Sequence, residues 1–207
     1  MDTALSRDAL QVLIRSVDIL CPAVSDRLDE SVLNIVGRRV RLLANYGAGT
    51  DHIDLEAARR AGIMVSNTPD VLTEATAELA LTLMLMVARR TSEGERELRS
   101  GRWSGWRPTH MMGTSLQGRT LGLVECGRIA RALARMAVAA FGMTIVYHAR
   151  RPAGDFEGAF VADLDTLLAR ANVVSLHCPG CLALGRPSES AGLVDQMARA
   201  SIGRCDR

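Results

Sequence analysis

Leu116 to Arg151 reads L-Q-G-R-T-L-G-L-V-E-C-G-R-I-A-R-A-L-A-R-M-A-V-A-A-F-G-M-T-I-V-Y-H-A-R-R, and this stretch decides the fold. An apolar β run, Leu121–Val124, enters a tight turn at Glu125–Gly127. An Ala- and Arg-rich helix from Arg128 to about Ala140 follows, then Phe141–Gly142 and a second β run, Thr144–His148. That order predicts one β-α-β unit whose turn lies where a helix N-terminus meets a phosphate. The phosphate-binding fingerprint G-x-G-x-x-G falls on Glu125, Cys126, Gly127, Arg128, Ile129 and Ala130. Only the middle glycine is present. Ala130 suits the last position, whose task is close helix–strand packing, whereas a Cβ at Glu125 burdens a turn that glycine suits better. A one-glycine fingerprint does not by itself separate a nucleotide site from an ordinary α/β crossover.

Working outward, the N-terminal part repeats the same rhythm. Ser6 reads as the N-cap of a helix over Arg7–Arg15, which leads to a strand at Val17–Leu20. Asp29 caps a second helix ending at Gly37, and Val40–Ala44 is a buried strand delivering the loop Asn45–Asp51. Asp54–Ala61 is a helix closed by Gly62, with Ile63–Ser66 the next strand. This alternation predicts a small parallel sheet. Thr73–Arg90 reads as a long helix with apolar residues all round, so it is expected to be buried on most sides. Ser92–Thr114 is too polar for core and too long for a simple linker. Beyond the β-α-β unit come a short helix at Asp163–Ala171 and a strand at Asn172–Cys178; from Gly180 the pattern dissolves.

Composition narrows the function classes. A length of 207 residues suits one large or two small domains with ample core. The net charge of +2 implies neither nucleic acid nor an anionic membrane as partner. The longest apolar run, Leu79–Ala88, would extend about 15 Å as a helix against roughly 30 Å of bilayer core, so it is read as a buried helix. No secretory signal is visible, and five cysteines without framework spacing fit a reducing cytoplasm.

Several separate stretches, in order, carry a resemblance. They are Y-G-A-G-T-D-H-I-D (Tyr46–Asp54), S-N-T-P-D-V-L-T-E-A-T-A-E-L-A (Ser66–Ala80), R-S-G-R-W-S-G-W (Arg99–Trp106), the β-α-β unit, and V-V-S-L-H-C-P (Val173–Pro179). Together they resemble the D-isomer-specific 2-hydroxyacid dehydrogenases, nearest the glyoxylate/hydroxypyruvate reductase branch. The resemblance implies an α/β fold: a partial flavodoxin-like substrate domain at 1–72, a linking helix and dimerisation arm at 73–115, and the first half of a Rossmann domain at 116–179. Residues 180–207 form a tail that departs from the family. In the full Rossmann order 3-2-1-4-5-6, Leu121–Val124 is central, and the half-sheet's far edge invites aggregation or pairing, so marginal stability or dependence on a dimer is expected. The chain is expected to start late relative to the family, and its tail to reflect a frameshift or a truncated gene.

The same resemblance implies site residues. Gly127, Arg128, Ile129 and Ala130 would face a diphosphate, where orphan amides and the positive helix end favour anions. Glu125 opposes this, at roughly 3–4 kcal/mol for a carboxylate about 4–5 Å from a phosphate at an effective dielectric near 20, or turns into water at little cost. The acid that grips the ribose in NAD enzymes is replaced by Ala149, followed by Arg150 and Arg151. Two guanidinium groups there lean the reading to NADP over NAD, although Arg150–Arg151–Pro152 also fits a solvated strand exit. Thr76, Cys178 and Pro179 match positions lining the cofactor cleft. Ala48 and Gly49 match positions whose amides bind a substrate carboxylate, Asp51 and Asp54 read as turn and cap, and Trp103 and Trp106 match anchors of a homodimer.

The activity implied is interconversion of a 2-oxo acid, of the glyoxylate or hydroxypyruvate type, and a D-2-hydroxy acid. The family's arginine, glutamate and histidine for that chemistry come after the third strand of the nucleotide domain. Gly180–Arg207 offers no match and contains no histidine, so no catalytic residue is assigned and little or no turnover is expected. The alternative is a non-catalytic remnant that binds a nucleotide or dimerises. Cys178–Pro179–Gly180–Cys181 also has the C-x-x-C spacing of thiol oxidoreductases, and His177 with Cys205 can be drawn into a zinc set. The S-L-H-C-P match already accounts for Cys178–Pro179.

Overall fold

The structure is a computed structural model, and it describes residues 3–178. The chain divides between Leu72 and Thr73 into two compact units, each built on its own parallel sheet. No helix among the described residues is long and apolar enough to cross a membrane.

In the first unit the order is α1 (Arg7–Ser16), β1 (Ile19–Leu20), α2 (Glu30–Leu33), β2 (Leu42–Ala44), α3 (Leu55–Arg60) and β3 (Met64–Ser66). Its helices start where short oxygen-bearing side chains meet orphan amides: Ser6 accepts from Ala9, Asp29 from Ser31 and Asp54 from Ala57. The second helix is one turn long and ends well short of Gly37, because Asn34 already leaves the helical region. The strands lie in the order β1-β2-β3, all parallel. Leu10 and Ile14 of α1, Val32 and Leu33 of α2, and Ala57 and Ala58 of α3 pack with Leu43 of β2 into one core.

The second unit contains α4 (Thr73–Ala88), α5 (Thr91–Arg99), β4 (Thr120–Val124), α6 (Arg128–Phe141), β5 (Thr144–His148), β6 (Ala159–Phe160), α7 (Leu164–Arg170) and β7 (Val173–Leu176). The sheet order is β6-β5-β4-β7, so Leu121–Val124 is central as expected, and β7 is an edge among the described residues. Alternation along the strands feeds two layers. Leu121, Leu123, Ile145 and Tyr147 join the core with α6, while Val124 and Val146 face Leu167 and Leu168 of α7. Gly122 belongs to this second face. A Cβ there would lie 2.7 Å from the Ala171 Cβ and 2.9 Å from Leu167 Cδ2, so only glycine lets α7 pack this closely.

One expectation fails in this unit. The long helix α4 buries Ala77 and Met84 but leaves Leu79, Leu83 and Val87 at 57%, 52% and 79% exposure. It packs along α6, and one neighbouring helix cannot cover an apolar surface that runs all the way round. The polar stretch after it is partly helical. Thr91–Arg99 forms α5 with no buried residue, supported on its surface by Glu95–Arg99 at 2.7 Å. Trp103 and Trp106 are exposed.

Candidate functional site

Parallel strands end together, so the second unit gathers its loops at one edge of the sheet. Val124 is level with His148 of β5 on one side and Leu176 of β7 on the other. The ladder continues one step further: the Glu125 amide donates to His148 O (2.7 Å), and the His177 amide to Val124 O (2.9 Å). Glu125–Gly127, Ala149–Arg151 and His177–Cys178 are therefore brought together. The centre of this edge is the point where the strand order reverses: the chain runs from β4 outward to β5 and β6, then returns through α7 to β7 on the other side of β4, the usual place for a ligand in an open α/β sheet.

Gly127 is the N-cap of α6 and no side chain caps it; the first turn of α6 carries no acidic residue. A Cβ on Gly127 would meet nothing within 4 Å among the described residues. Gly127 and Arg128 are exposed, Ile129 is half-buried, and Ala130 is fully buried in the helix–sheet contact that its small size permits. These features fit a diphosphate held by backbone N–H groups. Next to Gly127, burial raises the Cys126 thiol pKa above its usual 9.0, against a smaller lowering by Arg131, which keeps the group protonated at neutral pH.

The Glu125 side chain is 28% exposed. The residue holds a left-handed backbone, φ 68°, where a glycine is the easier occupant, and its carboxylate lies 3.8 Å from Arg150 Nε. Ala149 is buried, and Arg150 and Arg151 are exposed at the end of β5. The loop beyond them is clasped to the strand: the Tyr147 hydroxyl accepts from the Ala153 amide (2.8 Å), and Phe156 packs edge-on to the Tyr147 ring. At the third strand end, His177 Nε2 lies 2.9 Å from Ser175 Oγ, and burial lowers the His177 pKa below its usual 6.5. Cys178 is half-buried beside it and carries a free thiol. Pro179, Cys181 and Cys205 lie outside the described residues. Thr76 occupies an exposed position near the start of α4, a helix tied to α6 by Glu74–Arg135 at 2.7 Å.

Ala48 and Gly49 belong to the first unit, in the loop that leaves β2. Three successive carbonyls there are held by side-chain amides. Asn45 Nδ2 donates to Gly47 O and Gly49 O, both at 2.9 Å, and Asn67 Nδ2 donates to Ala48 O at 2.8 Å. Asn45 is 2% exposed, and its Oδ1 accepts from His52 Nε2 at 2.9 Å. Sequence reasoning missed both asparagines. A polar residue directly after the buried run Leu42–Leu43–Ala44 was the available signal, since a buried amide is stable only when its donors and acceptor are used. Gly49 also lines a cleft of about 500 Å³ with Val24, Arg27, Asp51 and His52.

Residues 81–183 match the family described as D-isomer specific 2-hydroxyacid dehydrogenase, NAD binding domain. The chain belongs to the D-isomer specific 2-hydroxyacid dehydrogenase family. Similar curated proteins include a glyoxylate reductase of Thermococcus litoralis, 43% identical over 180 residues that cover 84% of this chain and 54% of the relative. The glyoxylate reductase of Aeropyrum pernix is 41% identical over 172 residues, covering 80% of this chain and 51% of its own. Among solved structures, the TT0316 protein of Thermus thermophilus superposes with a TM-score of 0.81 at 46% identity, covering 87% of this chain and 57% of that one. A D-lactate dehydrogenase of Aquifex aeolicus, complexed with NAD and lactic acid, superposes with a TM-score of 0.72 at 26% identity, covering 84% and 52%. The chain spans about half the length of the curated relatives it matches. The residues matched to the NAD binding domain of the 2-hydroxyacid dehydrogenase family all belong to the second unit.

Proposed function

We propose that this chain binds a nicotinamide dinucleotide at the carboxyl end of the β6-β5-β4-β7 sheet. The observation that carries this reading is the start of α6 at a glycine N-cap, Gly127, in the turn that leaves the central strand β4. Gly127, Arg128, Ile129 and Ala130 form the diphosphate turn, while Ala149, Arg150 and Arg151 form the ribose edge. Thr76, Cys178 and Pro179 are added to the cofactor-binding set by their sequence match to the family. With no acid at Ala149 and two arginines after it, NADP(H) is the preferred form.

The chemistry proposed is that of the glyoxylate reductase relatives: a 2-oxo acid of the glyoxylate or hydroxypyruvate type interconverts with its D-2-hydroxy acid. Bound nicotinamide supplies the hydride. The amides of Ala48 and Gly49 hold the substrate carboxylate, in a loop whose carbonyls Asn45 and Asn67 draw away. No side chain of this chain is assigned to the proton transfer, so we expect binding without appreciable turnover by these residues alone.

The deciding experiment is titration of the full chain with NADPH and NADH by calorimetry, beside an assay of NADPH oxidation with glyoxylate. Saturable binding with oxidation no faster than buffer is expected. Absence of any binding by a folded chain overturns the reading, and turnover overturns the claim of inactivity.

A second property has its own observation. Leu79, Leu83 and Val87 on α4 and Trp103 and Trp106 beyond α5 are exposed within residues 73–115. We infer that this surface joins two copies into a homodimer, and that a dimer-forming, non-catalytic role is the alternative function. Sedimentation equilibrium tests it; a monomer at all concentrations excludes the dimer. Free thiols at Cys21, Cys126 and Cys178 suit a cytoplasmic setting.

A further inference from the structure

We propose that Glu125 sets the cofactor choice of this chain by acting on the ribose edge rather than on the diphosphate. The inference rests on the dinucleotide reading above and deepens it. Three observations place the carboxylate. The Glu125 amide donates to His148 O at 2.7 Å, which fixes residue 125 beside the end of β5. The left-handed φ of 68° and the Arg150 contact at 3.8 Å then direct the side chain along that strand end. The Glu125 side chain is 28% exposed and that of Arg150 83%. Meanwhile α6 begins without an acidic residue in its first turn, so the diphosphate amides carry no carboxylate of their own.

In a Rossmann fold the first turn and the end of the second strand border the adenosine ribose, and an acid there reads the 2′,3′-diol whereas arginines read a 2′-phosphate. This chain holds both signals, placed unusually. The acid is absent from Ala149 and is supplied from the neighbouring turn by Glu125. The arginines are Arg150 and Arg151, and the first of them is already matched to Glu125. A 2′-phosphate must take Arg150 from Glu125 and lie near a like charge; a diol can instead donate to that carboxylate. Glu125 thus restrains the preference for NADP(H) that the two arginines create.

The test is fluorescence titration of NADPH and NADH on the full chain, as wild type, Glu125→Gln, Glu125→Gly and Arg150→Gln, each checked for native circular dichroism. Removing the carboxylate is expected to raise the NADPH-to-NADH affinity ratio roughly tenfold at low salt, with a smaller gain at high salt. Arg150→Gln moves the ratio the other way. Glu125→Gln keeps the backbone demand and Glu125→Gly removes it, so agreement between them assigns the effect to charge. A parallel rise in both affinities overturns the proposal, because Glu125 then opposes the diphosphate. An unchanged ratio in a wild type that binds both cofactors overturns it too, and leaves the binding reading intact. If no folded variant binds either cofactor, the binding reading falls and the proposal with it.

Discussion

The two units shape their candidate loops by different means. In the first, the loop after β2 is held by side chains: Asn45 and Asn67 bind three successive carbonyls, and His52 completes the set. In the second, the turn after β4 is shaped by backbone: a left-handed residue at Glu125 and an extended glycine N-cap at Gly127. A loop that presents amides to a small carboxylate needs its carbonyls drawn back. A turn that meets a diphosphate needs side chains out of the way. The sequence chemistry follows, with asparagine in one place and glycine in the other.

The largest test of this contrast is Asn45→Ala. It leaves the buried acceptors and His52 without their partner, so we expect a loss of about 2–4 kcal/mol in urea unfolding; a loss below about 0.5 kcal/mol would show that the loop does not depend on the amide. In the second unit, Gly122→Ala forces the α7 contact apart, and about 1–3 kcal/mol should be lost in the same measurement. Glu125→Gly has the opposite sign. Removing a left-handed non-glycine residue should stabilise the chain by about 1 kcal/mol, read as a raised melting temperature; a lowered one would mean that the Arg150 contact outweighs the backbone demand.

The smallest effect concerns His177, the second unit's nearest counterpart to His52. Burial places its folded pKa below the usual 6.5. Above 6.5 the residue is neutral in both states and contributes nothing to pH dependence. As pH falls below 6.5 the unfolded chain takes up a proton that the folded chain resists, so stability declines until the folded pKa is reached. Urea midpoints measured downward from pH 7 should fall in that window, and His177→Asn should flatten the slope. An identical slope in the variant would assign the decline to other groups.

Much of this was legible in the sequence. The strands at Thr120–Val124 and Thr144–His148 and the helix between them were readable because apolar periodicity and punctuating glycines agree. Three features were hidden for physical reasons. The strand Ala159–Phe160 is too short to show a period. The helix α5 hides among charges because none of it is buried, and only the Glu95–Arg99 spacing hinted at it. The exposure of α4 could not be read from its composition, since an all-round apolar helix says that cover is needed and not where the cover comes from. At the site, Gly127 and Ala130 carried their meaning in a motif. The Glu125–Arg150 contact did not, because neighbouring strands bring together residues that lie far apart along the chain.

The clasp between Tyr147 and Ala153 gives the end of β5 a built-in reporter. The Ala153 amide donates to a phenol that is itself 2% exposed, so its exchange with deuterium requires that the segment after Arg151 peel away from β5. A single backbone proton therefore records how often that rim opens.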